Sequence, residues 1–392
     1  MKKDKITKRN QTIGYFSAFV SLGLATASLG PALPYFAENT RTQISEISIL
    51  FSMKAGGYLL GSVIGGRMID SLSGHFVVGV AILGITITLA LSPLVTSLAL
   101  LAGLLFILGM VEGITDVGGN AMLVWVHGSE VGPYMNALHF FFGVGTFIAP
   151  IIIAQSVLHT GQVSWGFWII ALLMVPTIFL FFKIPSPRLP KGDHGHGGRT
   201  NTKVLVLSVF FLFLYVGVEM GFGGWIYTYA FDLGLASETT AAYLTSAFYG
   251  AFTLGRLFSI PIAASVRPRW ILFGDLVGGT ISIIMILLFV KSNVMLWIGS
   301  ILFGLSLASV FPTMFSLAER RMTMTGKVTS WFFVGASAGG MFFPWLMGQL
   351  FEKVNPPAIM YVLLGNLFLA FLFYSILMVV SESKAQEELF SP

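Results

Sequence analysis

The sequence of 392 residues contains no cysteine, so it offers neither a disulfide framework nor a thiolate for metal binding or nucleophilic chemistry. Charge is also scarce, because only 10% of the residues are Asp, Glu, Lys or Arg. Hydrophobic residues make up 55% of the chain, and the mean hydropathy is +0.85. A soluble domain of this size needs more surface charge than that. The composition therefore predicts an integral membrane protein.

Motifs of enzymes and of ATP-driven motors are missing as well. The sequence has no Walker A loop and no Ser-His-Asp or His-Glu-x-x-His arrangement, so we expect neither enzymatic activity nor a cofactor. The formal net charge of +5 could indicate an anionic partner. The basic residues follow membrane topology instead, and we expect no nucleic-acid partner.

Apolar runs of membrane-spanning length recur about twelve times along the chain. The first is too long, and too lacking in a small-residue cleavage site, to be a removable signal peptide, so it is interpreted as a retained span. We place the runs near 12–36, 45–66, 76–93, 97–125, 132–158, 164–183, 203–231, 238–264, 270–290, 293–318, 326–351 and 356–380.

Basic residues are distributed unevenly between the two sets of loops. The side that holds both termini carries 17 Lys and Arg residues, whereas the opposite side carries only Arg41, Lys291 and Lys353. By the positive-inside rule, both termini of this multi-pass protein of the plasma or cell membrane are predicted to be cytoplasmic.

A polar, Pro- and Gly-rich stretch at 184–202 separates an N-terminal six-span half, 1–183, from a C-terminal six-span half, 203–392. Its His-Gly-His pair is interpreted as part of a soluble linker rather than as a metal site. The halves match at a constant offset of 194 residues, for example Gly61 with Gly255. The predicted fold is an all-α membrane protein of twelve transmembrane helices in two parallel six-helix repeats, the major facilitator architecture.

The fourth run carries two carboxylates, Glu112 and Asp116, among apolar residues. With Asn120 they follow the spacing i, i+4 and i+8, so all three lie on one helix face. Ionised carboxylates at membrane depth cost at least ~2.5–3.5 kcal/mol each, and they usually mark a proton or substrate path. The alternative is that both lie near a membrane surface or in structural pairs.

The loop after the second run, GGRMIDSLSGH, resembles the major facilitator signature Gly-x-x-x-Asp-Arg-x-Gly-Arg. It keeps Gly66 and Asp70 in register, while Ser71 stands where the signature has Arg. The resemblance implies that Asp70 takes part in a gate on the cytoplasmic face.

Longer stretches are more specific, namely SLGPALPYF, GITDVGGNAML, PYMNALHFFFGVGTFIAP and FLYVGVEMGFGGWIYTYA. They resemble the sodium-dependent glucose transporter branch of the superfamily, and they are similar to bacterial glucose/mannose–proton symporters and, more distantly, to the fucose–proton symporter. The resemblance implies that Asp116 is the acidic residue of the fourth span. It also implies cavity positions for Asn120, Asn136 and His139.

In the second half, the resemblance matches Glu219 to an acid of the seventh span. It matches Arg256, the second gating candidate beside Asp70, to a Gly-Arg pair at the end of the eighth span, where pairing with Asp275 is favoured over substrate contact. Two residues, Glu112 and Lys54, depart from the pattern of the relatives.

Sugar hydroxyls need donors and acceptors, and an indole such as Trp225 can lie against the CH face of a sugar. Alternatively, Trp225 and Tyr229 belong to an interfacial aromatic belt, and Asn136 and Gln155 only bond neighbouring helices. The candidate substrate-binding residues are Asn120, Asn136, His139, Gln155, Glu219, Trp225 and Tyr229.

Lys54 lies about ten residues into the second span, where an ammonium needs a carboxylate partner. We expect it to pair with Asp116 or Glu112 and to take the place of a bound sodium ion. The alternative is a static pair that only assembles the bundle.

The predicted function is secondary active import of a hexose-type sugar by cation symport, with the proton favoured over sodium. Asp116 is predicted to be the main coupling acid, tuned by Glu112, and Lys54 and Glu219 are further coupling candidates. The expected partners are the sugar, the cation and the lipid bilayer. A drug or lipid exporter of the same fold, or a nutrient sensor that does not transport, are the alternatives.

Overall fold

The structure is a computed structural model that describes residues 2–187, 201–322 and 326–390. Within these ranges, the side chains of residues 2–5, 70, 129, 326–327 and 381–390 are not described. The described residues form α-helices, two short 3-10 turns and loops, with no β-strand among them. The predicted all-α class is confirmed.

Fifteen α-helices follow one another along the described residues. They are α1 (Lys2–Thr26), α2 (Leu29–Thr40), α3 (Ile44–Ile47), α4 (Ile49–Ser71), α5 (Gly74–Leu91), α6 (Leu98–His127), α7 (Val131–Thr160), α8 (Ser164–Lys183), α9 (Thr202–Asp232), α10 (Glu238–Ser265), α11 (Pro268–Leu288), α12 (Asn293–Leu307), α13 (Val310–Glu319), α14 (Gly326–Lys353) and α15 (Ala358–Phe390).

Ten helical segments of the described chain are long and apolar enough to cross a membrane. An eleventh is formed by α1 and α2, which meet at a bend of 43°. α14 has 28 residues, enough to span a bilayer, although its small and polar residues make it less apolar than the ten. Each of the twelve predicted runs coincides with one of these segments.

Two spans are interrupted by a break in the helix, one between α1 and α2 and the other between α12 and α13. In both, proline is the third residue of the second helix, Pro31 in α2 and Pro312 in α13. Proline has no N–H to donate to the carbonyl four residues earlier, so helical hydrogen bonding is interrupted. The carbonyls of Thr26 and Leu307, which end the first helix of each pair, accept side-chain donors from other helices.

Helices α4 and α6 pack against each other along most of their length. Gly57 and Gly61 of α4 and Gly109 and Gly113 of α6 lie in the contact, and a Cβ at any of them would collide with the backbone of the other helix. Glycine therefore allows direct contact between the two backbones. We call this contact the α4–α6 seam, and it holds the side chains beside it in a fixed register.

The chain divides into two compact units. The first unit comprises Met1–Gly192 and Gly223–Gly250, and the second comprises Asp193–Phe222 and Ala251–Pro392. The segment of α9 and α10 from 223 to 250 thus belongs to the same unit as the first six spans. The division into halves at 184–202 stays a prediction.

Candidate functional site

Polar side chains follow the α4–α6 seam at matched spacing. On α4 they are Lys54, Tyr58 and Ser62, and on α6 they are Glu112, Asp116 and Asn120. Because residues four apart share a helix face, each helix presents a row of three polar groups. The close approach of the two backbones brings these rows within bonding distance of each other.

Lys54 and Glu112 form an ion pair, with Nζ 3.0 Å from Oε1. Their side chains are 11% and 3% exposed, so the pair is largely shielded from solvent. The Lys54 ammonium also donates to the carbonyl oxygen of Thr26, 3.5 Å away at the end of α1. The prediction that Lys54 pairs with a carboxylate of the fourth span is confirmed, and the partner is Glu112.

Asp116 accepts hydrogen bonds from uncharged groups on both of its oxygens. The Tyr58 hydroxyl donates to Oδ2. The Asn120 amide nitrogen lies 2.9 Å from Oδ1 and 2.9 Å from the backbone carbonyl of Asp116, and donates to both. The two carboxylates are therefore satisfied differently, Glu112 by a cation and Asp116 by neutral donors.

Helix α7 carries three of the predicted substrate-binding residues. His139 contacts Phe19 of α1 edge-to-face, with ring centroids 5.7 Å apart. The side-chain amide of Gln155 donates to the hydroxyl of Tyr243 in α10. Gln155 therefore bonds a neighbouring helix, which is the structural alternative considered for it. Asn136 is exposed near the start of α7.

Trp225 and Tyr229 lie on the part of α9 that belongs to the first unit. Both side chains are 0% exposed, whereas residues of an interfacial belt face the lipid headgroups. The Trp225 indole packs against Phe51 of α4, with ring centroids 5.8 Å apart. The belt interpretation of these two residues is therefore wrong.

The second unit has its own acidic site around Glu219 of α9. The Tyr215 hydroxyl, one turn earlier, donates a hydrogen bond to the carbonyl oxygen of Leu307, 3.0 Å away, and also interacts with the Glu219 carboxylate. The Arg256 guanidinium of α10 acts on Glu219 electrostatically. Glu219 therefore has a tyrosine hydroxyl and a cation as its polar neighbours.

Arg256 does not have the partner predicted for it. Asp275 of α11 accepts a hydrogen bond from Ser309, with Oγ 2.5 Å from Oδ2. Arg256 lies over the ring of Phe252, with Cζ 4.5 Å from the centroid, and its acidic neighbour is Glu219. The predicted Arg256–Asp275 pair is therefore wrong, because the break between α12 and α13 brings a nearer donor to Asp275.

Two sequence predictions fall outside the described part of the chain. Asp70 lies in the last turn of α4, but its side chain is not described, so its gating role stays a prediction. The His-Gly-His pair of the linker lies wholly outside the described residues.

Sequence reasoning missed the tyrosines that bond the acids. Tyr58 lies four residues after Lys54, and Tyr215 lies four residues before Glu219. The same i, i+4 spacing that identified Glu112 and Asp116 could have identified both tyrosines. Which carboxylate each would bond depends on helix register, which spacing alone does not contain.

The sequence profile described as Major Facilitator Superfamily matches residues 13–344. The chain is 33% identical to "Sodium-dependent glucose transporter 1" of Danio rerio, covering 89% of this chain but only 66% of that protein. It is 30% identical to "Sodium-dependent glucose transporter 1A" of Mus musculus, covering 91% and 94%. A crystal structure of a mutant of the nucleoside transporter NupG matches with a TM-score of 0.76 at 15% identity, covering 94% and 99%.

The chain therefore belongs to the major facilitator superfamily. Its all-helical spans and its transporter relatives define a multi-pass integral membrane transporter rather than an enzyme. The predicted fold class is confirmed by the profile match and by the structural similarity.

Proposed function

We propose that the protein is a secondary active transporter that imports a hexose-type sugar together with a cation, by alternating access. The observation that carries this proposal is the α4–α6 seam, where an ion pair and a separately bonded carboxylate lie within two spans. Ionisable groups inside membrane spans mark ion or substrate paths by default. The relatives whose names specify glucose support a sugar as the substrate.

We assign the coupling proton to Asp116. Protonation of Glu112 would leave the Lys54 ammonium buried without its counter-charge, which is costly. Protonation of Asp116 instead removes a charge that only neutral donors stabilise. One proton can therefore be bound and released at Asp116 while the ion pair stays intact.

Lys54 is the reason for preferring the proton to sodium. In transporters, sodium is coordinated by carboxylates and by backbone carbonyls exposed at broken helices. Here the Lys54 ammonium lies between such a carboxylate, Glu112, and such a carbonyl, that of Thr26. The position is filled by a cation that belongs to the chain. This assignment departs from the sodium dependence in the names of the relatives.

The sugar is proposed to bind through hydroxyl contacts and one aromatic face. The side-chain nitrogen of Asn120 donates its hydrogen bonds to Asp116, so the side-chain oxygen of Asn120 can accept a hydrogen bond from the sugar. The indole of Trp225 is proposed to supply an apolar face, and Glu219 of the second unit stays a candidate acceptor in its own right. The remaining hydroxyl partners of the proposal are Asn136, His139, Gln155 and Tyr229.

The energy available to such a symporter is adequate for accumulation. One charge moving inward gains about 2.3 kcal/mol per 100 mV of membrane potential. One unit of pH difference adds about 1.4 kcal/mol. Together they support roughly 500-fold accumulation of a sugar.

Counterflow in proteoliposomes tests the substrate. Liposomes containing the purified protein are loaded with unlabelled hexose and placed in a trace of labelled hexose, for a panel of hexoses and one nucleoside. We expect transient accumulation of at least one hexose. Binding without counterflow supports the sensor instead, and counterflow of lipophilic compounds alone supports the exporter.

The coupling ion is tested in the same liposomes without a pH gradient. Addition of sugar should move protons inward, with an unchanged signal when sodium is replaced by choline. Strict dependence on sodium at constant pH contradicts the assignment of the proton, while leaving the sugar substrate intact.

A further inference from the structure

Tyr58 is the one member of the two rows that contacts the proposed coupling acid from the opposite helix. It lies on α4 between Lys54 and Ser62, and its hydroxyl donates to Oδ2 of Asp116. Its neighbour Gly57 is one of the glycines of the α4–α6 seam, where no Cβ fits. The Tyr58 backbone is therefore held close to α6, and its hydroxyl remains beside Asp116.

The two donors to Asp116 differ in what they can do when the carboxylate takes up a proton. The Asn120 nitrogen only donates, so it cannot accept a hydrogen from a carboxylic acid. A tyrosine hydroxyl both donates and accepts. A proton arriving on Oδ1 would face the Asn120 donor, whereas a proton on Oδ2 finds an acceptor in Tyr58 as soon as the hydroxyl turns.

We propose that Tyr58 is a positioning residue that directs the coupling proton to Oδ2 of Asp116 and couples its uptake to sugar binding by reversing its own hydroxyl. One proton passes from water to Oδ2, and the charge of Asp116 goes from −1 to 0. The Tyr58 O–H bond stays intact and rotates, so that the oxygen accepts from the acid. The freed hydroxyl hydrogen becomes a donor for a sugar oxygen.

The coupling of proton uptake to sugar binding rests on the proposed function, because it requires a sugar as the hydrogen-bond acceptor. The direction of the proton to Oδ2 requires only Asp116. A hydroxyl that has lost its acceptor inside a span is costly, so the protonated state favours a ligand that accepts a hydrogen bond. Proton and sugar then bind more tightly together than separately, which is the requirement for symport.

Ionisable groups also lie on the helix that carries Asp116 and on the helices packed against it. Glu112 on the same helix and Lys54 on α4 are committed to their ion pair. The remaining helices packed against α6 carry Tyr15 on α1, His75 on α5 and His139 on α7. Tyr15 and His75 are hydrogen-bonded to each other, 2.9 Å apart, and His139 contacts Phe19.

Infrared difference titration of the purified protein tests the positioning role without any sugar. The band of the protonated Asp116 carboxyl is identified by subtracting the Asp116→Asn variant. In Tyr58→Phe, the ionised carboxylate loses a charge-assisted hydrogen bond and the acid loses only a weaker neutral one, so the midpoint should move up by about one pH unit. Tyr35→Phe is the control, because its hydroxyl bonds the Pro93 carbonyl and Ser164 instead. A midpoint in Tyr58→Phe within about 0.3 unit of the wild type overturns the proposal.

The infrared spectrum of the wild-type protein provides a second test of the hydroxyl reversal, and this test needs no variant at Tyr58. Protonated Asp116 should show the carbonyl frequency of an acid that donates a hydrogen bond. A frequency typical of a free acid contradicts the reversal of the hydroxyl, even if Tyr58→Phe does not fold.

The link to the sugar is tested by hexose affinity as a function of pH. Asn120→Leu and Tyr58→Phe each remove one donor from Asp116, so both should shift the titration. Only Tyr58→Phe should flatten the dependence of hexose affinity on pH, and an undiminished dependence in that variant rejects the link. If the wild type binds no hexose, the proposed function fails, while the titration still decides the positioning role.

Discussion

At the scale of single residues, the ion pair of Lys54 and Glu112 predicts a marked asymmetry between single and double variants. Lys54→Met leaves a buried carboxylate without its cation, and Glu112→Gln leaves the ammonium without its anion. Each should lower the free energy of unfolding by about 3–5 kcal/mol. The double variant should recover most of this loss, as measured by thermal unfolding in detergent. A loss in the double variant equal to the sum of the two single losses would show that the pair is not coupled.

Substitution of the single residue Asp116 is predicted to separate uphill uptake of sugar from exchange of bound sugar. Asp116→Asn keeps the hydrogen-bonding shape but cannot lose or gain the coupling proton. Uphill uptake of sugar should be abolished, while exchange of bound sugar is partly retained. Uptake driven by an imposed pH gradient, compared with counterflow, measures both. Concentration of sugar to the wild-type level by this variant refutes the assignment of Asp116.

Glu219 should affect affinity more than coupling. Its carboxylate interacts with the Tyr215 hydroxyl and with the positive charge of Arg256. Glu219→Gln replaces a charged acceptor by a neutral amide, and hexose affinity should fall roughly 10- to 100-fold. Asp275→Asn is the control, since Asp275 is bonded to Ser309 at the break. An unchanged affinity in Glu219→Gln would assign it a structural role.

At the scale of elements, the α4–α6 seam predicts which glycines tolerate a methyl group. Gly61→Ala and Gly109→Ala introduce a Cβ into the backbone of the partner helix. Overpacking of this kind costs about 1–3 kcal/mol, so the thermal midpoint should fall. Gly103→Ala in α6 is the matched control, because nothing lies within 4 Å of its Cβ position. A similar midpoint for all three variants would argue against backbone contact at the seam.

Much of the arrangement of the helices and of their ionisable residues could be predicted from the sequence. The positions of the spans follow from apolar runs, and the pairing of Lys54 follows from the cost of an unpaired ammonium. The choice of Glu112 over Asp116, and the bond of Tyr58 to Asp116, depend on the register between α4 and α6. Register is set by the close approach of glycines on two helices, and this is tertiary information. The error for Arg256 has the same origin, since its partner is decided by a helix break in another span.

At the scale of the whole molecule, the distribution of basic residues predicts the orientation in the membrane. Lys291 and Arg267 lie on opposite ends of α11, and both are exposed. Because the chain has no cysteine, a single introduced cysteine is the only thiol. Lys291→Cys should react with an impermeant maleimide in intact cells, and Arg267→Cys only after permeabilisation. The reverse pattern contradicts cytoplasmic termini.

The ion pair across the α4–α6 seam also has a consequence during biosynthesis. Lys54 precedes Glu112 by 58 positions in the chain, an interval of roughly 3–12 s at ~5–20 residues per second of synthesis. In that interval the second span carries an ammonium whose insertion into the bilayer costs about 2.5–3.5 kcal/mol and which has not yet met its carboxylate. The span is fully accommodated only when the fourth has been made. We therefore expect the first four spans to stay at the translocon and to integrate as a group rather than one helix at a time.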